Sequence, residues 1–538
     1  MGETTVDMGY EPLTPTAHLE RAAEAHRDRV AVVDGALRLT YGELRERCMR
    51  LAGGLARLAG GRPVAVLATN SHVMLEAHFA VPWAGVALVA LNIRLAPAEL
   101  TYIVGHSEAA VLLYEAEFEP VAREIAAALP GLRLVRAGDH DGGDHDGDHD
   151  GGHDGGRDEY AGLIASAPPL ASRPPDERAL LAINYTSGTT GRPKGVMYHH
   201  RGAYLQALSQ VGHAGLDVSS VFLWTLPMFH CNGWGYPWAV TAAGARHVCL
   251  RKVDPAEVWR LIAEEGVTHL NGAPTVLTMI AHAEQAAPVR RPVGRRLRIA
   301  TGGAPPTPAI LEKMAALDID VTHLYGLTET FGPSIVCDWR PEWNTLPAPD
   351  QAGLKARQGV RTYTVDGLRV LDAAGAEVPS DATTVGEIAL RGNTLMLGYY
   401  KDPEATRAAA PDGWFRTGDL AVRHPDGYVE LRDRSKDVII SGGENIASVE
   451  VEQAIAAHPA VLEAAVVGVP DERWGEVPAA YVTLRPGAEV TAEELVEHVR
   501  ARLARFKAPR RVEFTELPKT ATGKIQKYVL RERARTGR

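Results

Sequence analysis

The chain has 538 residues, of which 45% are hydrophobic and 23% charged; that is the make-up of a globular protein too long for one core, so two or more domains are expected. Four scattered cysteines (Cys48, Cys231, Cys249, Cys337) form no CxxC pair, which argues against a disulfide framework or zinc ribbon and for a reducing, cytoplasmic setting. The opening MGETTVDMGYEPLTP lacks the apolar core of a secretory signal, no apolar run is long enough for a membrane span, and the net charge of −10 hides eight Asp against one Arg in residues 138–158 and thirteen Lys or Arg against three Glu in residues 500–538.

In chain order, residues 30–33 and 37–40 read as short strands around a turn at Asp34-Gly35, and residues 41–58 as a helix with Leu44, Cys48, Leu51 and Leu55 on one face. Apolar runs at 63–67, 87–91 and 110–114 read as buried strands, with a helix over 71–84 and Gly85 just past its end. Strands alternating with helices predict a largely parallel α/β sheet. Residues 138–158, GDHDGGDHDGDHDGGHDGGRD, are of low complexity. Their His140, His145, His149 and His153 could chelate a transition metal weakly, but irregular spacing and abundant glycine favour a disordered surface loop.

Residues 186–195, TSGTTGRPKG, follow the apolar run Leu180-Leu181-Ala182-Ile183. Glycines such as Gly188 let the backbone bring N–H groups close to an anion. Thr186, Ser187, Thr189 and Thr190 add hydroxyl donors, and Lys194 adds a point charge suited to phosphate. The run lacks the spacing of a Walker loop. Taken alone it is equally a flexible surface turn. A strand over 196–198 and a helix over 200–210 follow.

LPMFHCNGW, residues 226–234, ends a buried strand with His230 at the turn into a helix. Such a histidine is commonly structural, though beside an anion cradle it could gate a pocket. Residues 269–277 and 298–306 are two strand-then-loop units, and Gly302-Gly303-Ala304-Pro305 exposes backbone at a strand's carboxyl end, where open α/β sheets bind ligands. HLYGLTET, residues 323–330, offers an aromatic ring, hydroxyls and a carboxylate, enough to stack a base and hold Mg²⁺. Thr328 there could instead cap a helix. WFRTGDL, residues 414–420, precedes a hairpin turn at Asp426-Gly427, and Asp419 suits a ribose. The charged DRSKD, residues 433–437, suits a linker, beyond which about 100 residues form a compact α+β unit. Its PKTATGKI, residues 518–525, presents Lys524 on a Gly/Thr loop. The basic tail reads first as a solvated helix face.

Together TSGTTGRPKG, YGLTET, WFRTGDL, DRSKD with SGGEN, and PKTATGKI, in that order along nearly the whole chain, resemble the adenylate-forming superfamily, and LPMFHCNGW with Trp238 is most similar to its fatty-acyl and short-chain acyl-CoA ligase branch. The resemblance implies a large N-terminal domain of α/β sheets with helices, residues 1–433, and a smaller mobile α+β lid, residues 434–538. It implies activation of a small carboxylic acid by ATP to an acyl-AMP, with release of pyrophosphate and transfer to CoA. By the same resemblance Lys524 bridges the carboxylate and the α-phosphate, Thr328 contacts that phosphate, Glu329 holds Mg²⁺, and residues 186–194 hold the outer phosphates. Gly303, Ala304, Pro305, Tyr325 and Gly326 lie by the adenine, Asp419 and Arg434 by the ribose, and Gly442 and Gly443 on the pantetheine path. Lys436 is the hinge. His230, Trp234, Gly302, Ala304, Gly326 and Phe331 are acyl-pocket candidates.

No aspartate on residues 230–238 offers a partner to an α-amino group, so a fatty or aryl acid is expected rather than an amino acid. Among relatives of this kind the acceptor can also be an amine, or AMP formation can activate nitrite; an amide synthetase and a diazotase therefore stay open, as does a homodimer. A luciferase-like oxygenase lacks any marked oxygen site, and a non-enzymatic sensor would be expected to lose Lys524, Glu329 or Asp419. A nucleic-acid partner is not expected, because the basic tail overlaps the PKTATGKI loop and carries no recognition motif.

Overall fold

The computed structural model describes residues 9–138, 158–186, 193–288, 296–434, 437–441, 444–471, 474–520 and 525–536. Among these, two large sheets carry the N-terminal part. One runs, in spatial order, Gly398–Tyr399, Lys194–His199, Leu180–Thr186, Leu88–Ala90, Val64–Leu67, Val111–Glu115 and Arg133–Ala137. Its last five strands pair in parallel, as the alternation of strands and helices predicts. The other runs from Val360–Arg361 through Gly332–Val336, Ile319–Leu327, Leu297–Thr301, His269–Gly272, Val221–Leu223, Arg246–Val248 and Val30–Asp34 to Leu37–Thr40. It is parallel in the middle and antiparallel at both ends.

Local chemistry sets the elements between them. Helix Tyr41–Ala59 starts at a capping box, in which Thr40 accepts from the Glu43 amide and the Glu43 carboxylate accepts from the Thr40 amide at 2.7 Å, and it ends at left-handed Gly60. Leu44, Cys48, Leu51 and Leu55 form its buried stripe. Helix His72–Trp83 is buried on every side, and its buried Glu76 is paired with Arg47 at 2.6 Å. It packs against Tyr41–Ala59 and against helix Tyr236–Ala242.

A four-stranded antiparallel sheet follows, Val365–Leu371, Gly386–Gly392, Phe415–Arg423 and Val429–Arg434, and Gly427 supplies the positive φ of its last hairpin. The C-terminal residues form an α+β unit. Strands Ile439–Ser441, Glu444–Ile446, Val461–Asp471, Gly475–Leu484 and Arg511–Phe514 pack with helices Ser448–Ala456, Ala492–Arg500 and Lys527–Thr536 around apolar clusters of their own. No helix among the described residues is long and apolar enough to cross a membrane.

Asp433 and Arg434 end strand Val429–Arg434, the Ser448 amide donates to buried Asp433, and Asp437 pairs with Arg531. Three expectations change. The basic tail is not a plain solvated face, since Lys507, Lys519 and Lys527 pair with Glu450, Glu463 and Glu452 at 2.6–2.7 Å. After strand His269–Gly272 comes helix Pro274–Ala281 rather than a loop; proline at a first helical position is pre-set for it. Thr328 does not cap a helix: it begins the short 3₁₀ turn Thr328–Thr330, where Thr330 Oγ1 accepts from the Leu327 amide. The histidine-rich insert at 139–157 lies outside the described residues.

Gly326 sits at an irregularity in the pairing of Ile319–Leu327 with Gly332–Val336, and a Cβ there would overlap the Gly332 carbonyl. Both partners are backbone and cannot give way. Gly326→Ala should therefore lower stability by about 3 kcal/mol or more, seen as a depressed melting temperature; an unshifted transition would contradict this packing.

Candidate active site

The run TSGTTGRPKG connects two paired strands. Strand Leu180–Thr186 returns as Lys194–His199, with Thr186 directly opposite Lys194. Thr186 and Lys194 are thus brought together, while Ser187, Gly188, Thr189 and Thr190 lie outside the described residues. On its other side Lys194–His199 pairs with Gly398–Tyr399, which sets Tyr399 opposite Val196. Lys194 Nζ lies 4.9 Å from the centroid of the Tyr399 ring and 3.9 Å from Asp402. The Tyr399 hydroxyl donates to Glu329 Oε1 at 2.9 Å. Burial, then the Glu329 charge, push the Tyr399 hydroxyl above the ordinary phenol range. A cation and a carboxylate that are far apart in sequence therefore meet on one ring, beside a cleft of about 380 Å³ lined in part by Met197, Tyr399, Asp402 and Arg407.

The Thr328–Thr330 turn is tied to the same hairpin. Tyr198 Oη donates to the Thr328 carbonyl at 2.6 Å, and the Met396 amide donates to the Glu329 carbonyl at 2.9 Å. Cys231 Sγ lies 3.3 Å from Thr328 Oγ1. Burial raises the Cys231 thiol to about 12, so it stays a neutral, weakly polar neighbour rather than a thiolate.

Asp419 is buried, with Tyr325 Oη donating to Oδ2 at 2.7 Å and Arg434 Nε at 3.1 Å from Oδ1. Burial and the Asp419 charge raise the Tyr325 hydroxyl. Two donors fix the carboxylate and leave lone pairs to accept further hydroxyl groups. Thr301 pairs with His323, and two residues on, exposed Gly303 (φ 86°) reaches the level of Tyr325, with Ala304 exposed and Pro305 half-buried after it. Gly326 is committed to the hairpin crossing described above.

The acyl-pocket candidates follow strand Val221–Leu223. Cys231, Asn232, Gly233 and Trp234 all have φ between 41° and 57°. Left-handed backbone costs about 1–2 kcal/mol for each residue with a side chain, so this turn is held by its surroundings. It places the Trp234 ring on Gly302, where a Cβ would come within 3.2 Å of the indole. Phe331 is 1% exposed and stacked on Tyr198 with ring centroids 4.0 Å apart. His230 begins the turn, 3.8 Å from Cys231 Sγ through Nε2.

Lys524, Lys436, Gly442 and Gly443 lie outside the described residues. On either side of Lys524, Lys519 and Ile525 pair as a bridge and the Gln526 amide donates to the Pro518 carbonyl at 2.8 Å. Sequence reasoning missed Tyr399, Tyr198 and Asn184. The last had a readable signal, an amide side chain within an apolar strand.

A family model described as AMP-binding enzyme matches residues 19–400, and one described as AMP-binding enzyme C-terminal domain matches residues 450–524. The chain belongs to the AMP-binding enzymes. It is 44% identical to an acetate–CoA ligase of Humulus lupulus, over 98% of this chain and 95% of that one. It is 43% identical to an acetate/butyrate–CoA ligase of Arabidopsis thaliana named as peroxisomal, over 98% and 96%. Among solved structures, an anthranilate CoA ligase in complex with anthranoyl-AMP matches with a TM-score of 0.85 at 26% identity, over 99% of each chain. This AMP-binding enzyme is thereby placed in the acyl-CoA synthetase branch of the adenylate-forming superfamily.

Removing a hydrogen bond to a charged group costs about 1.5–3 kcal/mol. Tyr399→Phe should accordingly raise the KM for MgATP about tenfold or more in initial-rate kinetics while the KM for the acid moves less than twofold; an unchanged KM for MgATP would show that Glu329 does not need this donor.

Proposed function

We propose that this AMP-binding enzyme is an AMP-forming acid–thiol ligase that takes a short-chain carboxylic acid, ATP and CoA. A carboxylate oxygen attacks the α-phosphorus of ATP, the bond to the β-phosphate oxygen breaks, and pyrophosphate leaves. The CoA sulfur then attacks the acyl carbon, the bond to AMP breaks, and the thiol proton passes to solvent. The observation that carries the reading is the meeting of Lys194 and Glu329 on Tyr399, with the fixed Asp419 carboxylate available for the ribose.

Each residue answers an electrostatic need. The incoming carboxylate and the α-phosphate repel each other, so cations and donors aimed at the developing charge supply the largest catalytic effect. Lys524 serves there, bridging both anions, with Thr328 donating to the α-phosphate. Thr186, Lys194 and residues 187–190 hold the outer phosphates. Glu329 would hold Mg²⁺, and a lone carboxylate fits that ion, which commonly takes one or two carboxylates with substrate phosphates. The ion would neutralise phosphate charge. Gly303, Ala304, Pro305 and the Tyr325 edge flank the adenine, and Asp419 with Arg434 takes the ribose.

After adenylation the C-terminal unit turns about Lys436, withdrawing Lys524 and bringing Gly442 and Gly443 to the pantetheine path, so that one chain gates two reactions. The acid is short because the Trp234 ring lies on Gly302 and Phe331 is packed behind it; the relatives named for acetate and butyrate support this over a long fatty or aryl acid. The four cysteines are free and buried, which supports a reducing compartment such as the cytosol.

The test is pyrophosphate release across acetate, butyrate, 2-methylpropanoate, a long fatty acid and benzoate, with wild type and Lys524→Ala. Acid-dependent release is expected with the short acids, falling at least several-hundredfold in the variant, in line with the loss of about 3 kcal/mol or more of charge stabilisation. Equal release by the variant would overturn the role of Lys524, and preference for the long or aryl acid would overturn the substrate class.

A further inference from the structure

The segment between strand Val221–Leu223 and helix Tyr236–Ala242 belongs by connectivity to the nine-stranded sheet, where Thr225 Oγ1 donates to the Asn271 carbonyl at 2.6 Å, yet it is also fastened from the other one. Asn70, just past strand Val64–Leu67, donates through Nδ2 to the Trp224 and Leu226 carbonyls at 2.8 and 3.0 Å and accepts from the Met228 amide at 2.8 Å. Asn184 grips the far end. Its Nδ2 donates to Asn232 Oδ1 at 2.5 Å, and its Oδ1 accepts from the Asn232 amide at 3.1 Å.

Asn232 in turn reaches helix His72–Trp83. His78 Nδ1 lies 2.7 Å from the Met74 carbonyl, so this nitrogen carries the hydrogen and Nε2 is left to accept from Asn232 Nδ2 at 3.2 Å. Burial holds His78 down to about 4, which keeps it neutral and this polarity fixed. Asn184, Asn232 and His78 are at most 3% exposed, so an amide left unpaired here has no water to turn to. Asn184 stands two residues before Thr186, on the strand that enters the phosphate cradle.

We propose that Asn184 and Asn232 form a positioning clasp that holds the left-handed 231–234 turn, and with it Trp234 and His230, in register with the ATP phosphate cradle. The proposal rests on the reading of that turn as a wall of the acid pocket. Neither asparagine touches a substrate; both act through the turn between them. The clasp fixes where the acid stands relative to the α-phosphate, the alignment on which attack depends.

The experiment compares Asn184→Ala, Asn232→Gly, the double variant and Trp234→Ala. Glycine at 232 keeps the left-handed backbone open (φ 41°) and removes both side-chain bonds, so it stays informative if Asn184→Ala fails to fold. With acetate and butyrate, each folded clasp variant should raise the KM for the acid about tenfold or more while the KM for ATP moves less than twofold. The double variant should fall well short of additive, because the side-chain bond between the two asparagines is lost in each single variant. An unchanged acid KM in folded Asn232→Gly, acid and ATP constants rising together, or additive losses would overturn the clasp. Trp234→Ala separates the two levels: if it changes acid selectivity while the clasp variants do not, the clasp fails alone, and if it too leaves acid kinetics unmoved, the pocket reading has failed.

Discussion

Two anions have to touch. A carboxylate approaching the α-phosphate of ATP meets like charge, and in a site of reduced dielectric that repulsion is several times larger than in water. The molecule arranges its polar groups around this constraint. Lys194 and Glu329 share the Tyr399 ring, the Thr328 turn is tied to Tyr198, and Asp419 is fixed by Tyr325 and Arg434. The pairs Tyr399–Glu329, Tyr198–Thr328 and Tyr325–Asp419 join distant parts of the chain, so the arrangement is built by folding and not by a local motif.

The junction between the two large sheets is what makes this possible. Strands Leu180–Thr186 and Lys194–His199, which flank the run proposed to hold phosphate, belong to the seven-stranded sheet, whereas the Gly302–Gly303 backbone and the Thr328 turn follow strands of the nine-stranded sheet. A segment stapled by Asn70 and Asn184 spans the two. Backbone strain in its left-handed turn is tolerated because buried amides over-determine it. The same turn sets Trp234 on Gly302, so strain, packing and pocket size are aspects of one local structure.

Much of this was legible beforehand. A continuous apolar run located the strand Val64–Leu67 and a 3.6-residue period the helix Tyr41–Ala59, because burial imposes those patterns directly on sequence. The short runs bearing Lys194, Glu329 and Asp419 were visible as residue types suited to phosphate, metal and ribose, and folding brings Lys194 and Glu329 to the same tyrosine. The tertiary partners of particular side chains were not. The Ser448 amide on Asp433, Arg531 on Asp437 and the stacking of Phe331 on Tyr198 exist only once the chain has folded. Tyr399 and Asn232 carry no spacing signal at all, since their partners lie more than 40 residues away.

The central claim is that a carboxylate oxygen becomes bonded to the α-phosphorus of ATP. Acetate labelled with oxygen-18 in both carboxyl positions, incubated with the enzyme, MgATP and CoA, tests it through mass spectrometry of the nucleotide product. The account predicts one labelled oxygen in AMP and none in pyrophosphate. AMP free of label, or label in inorganic phosphate or pyrophosphate, would contradict it.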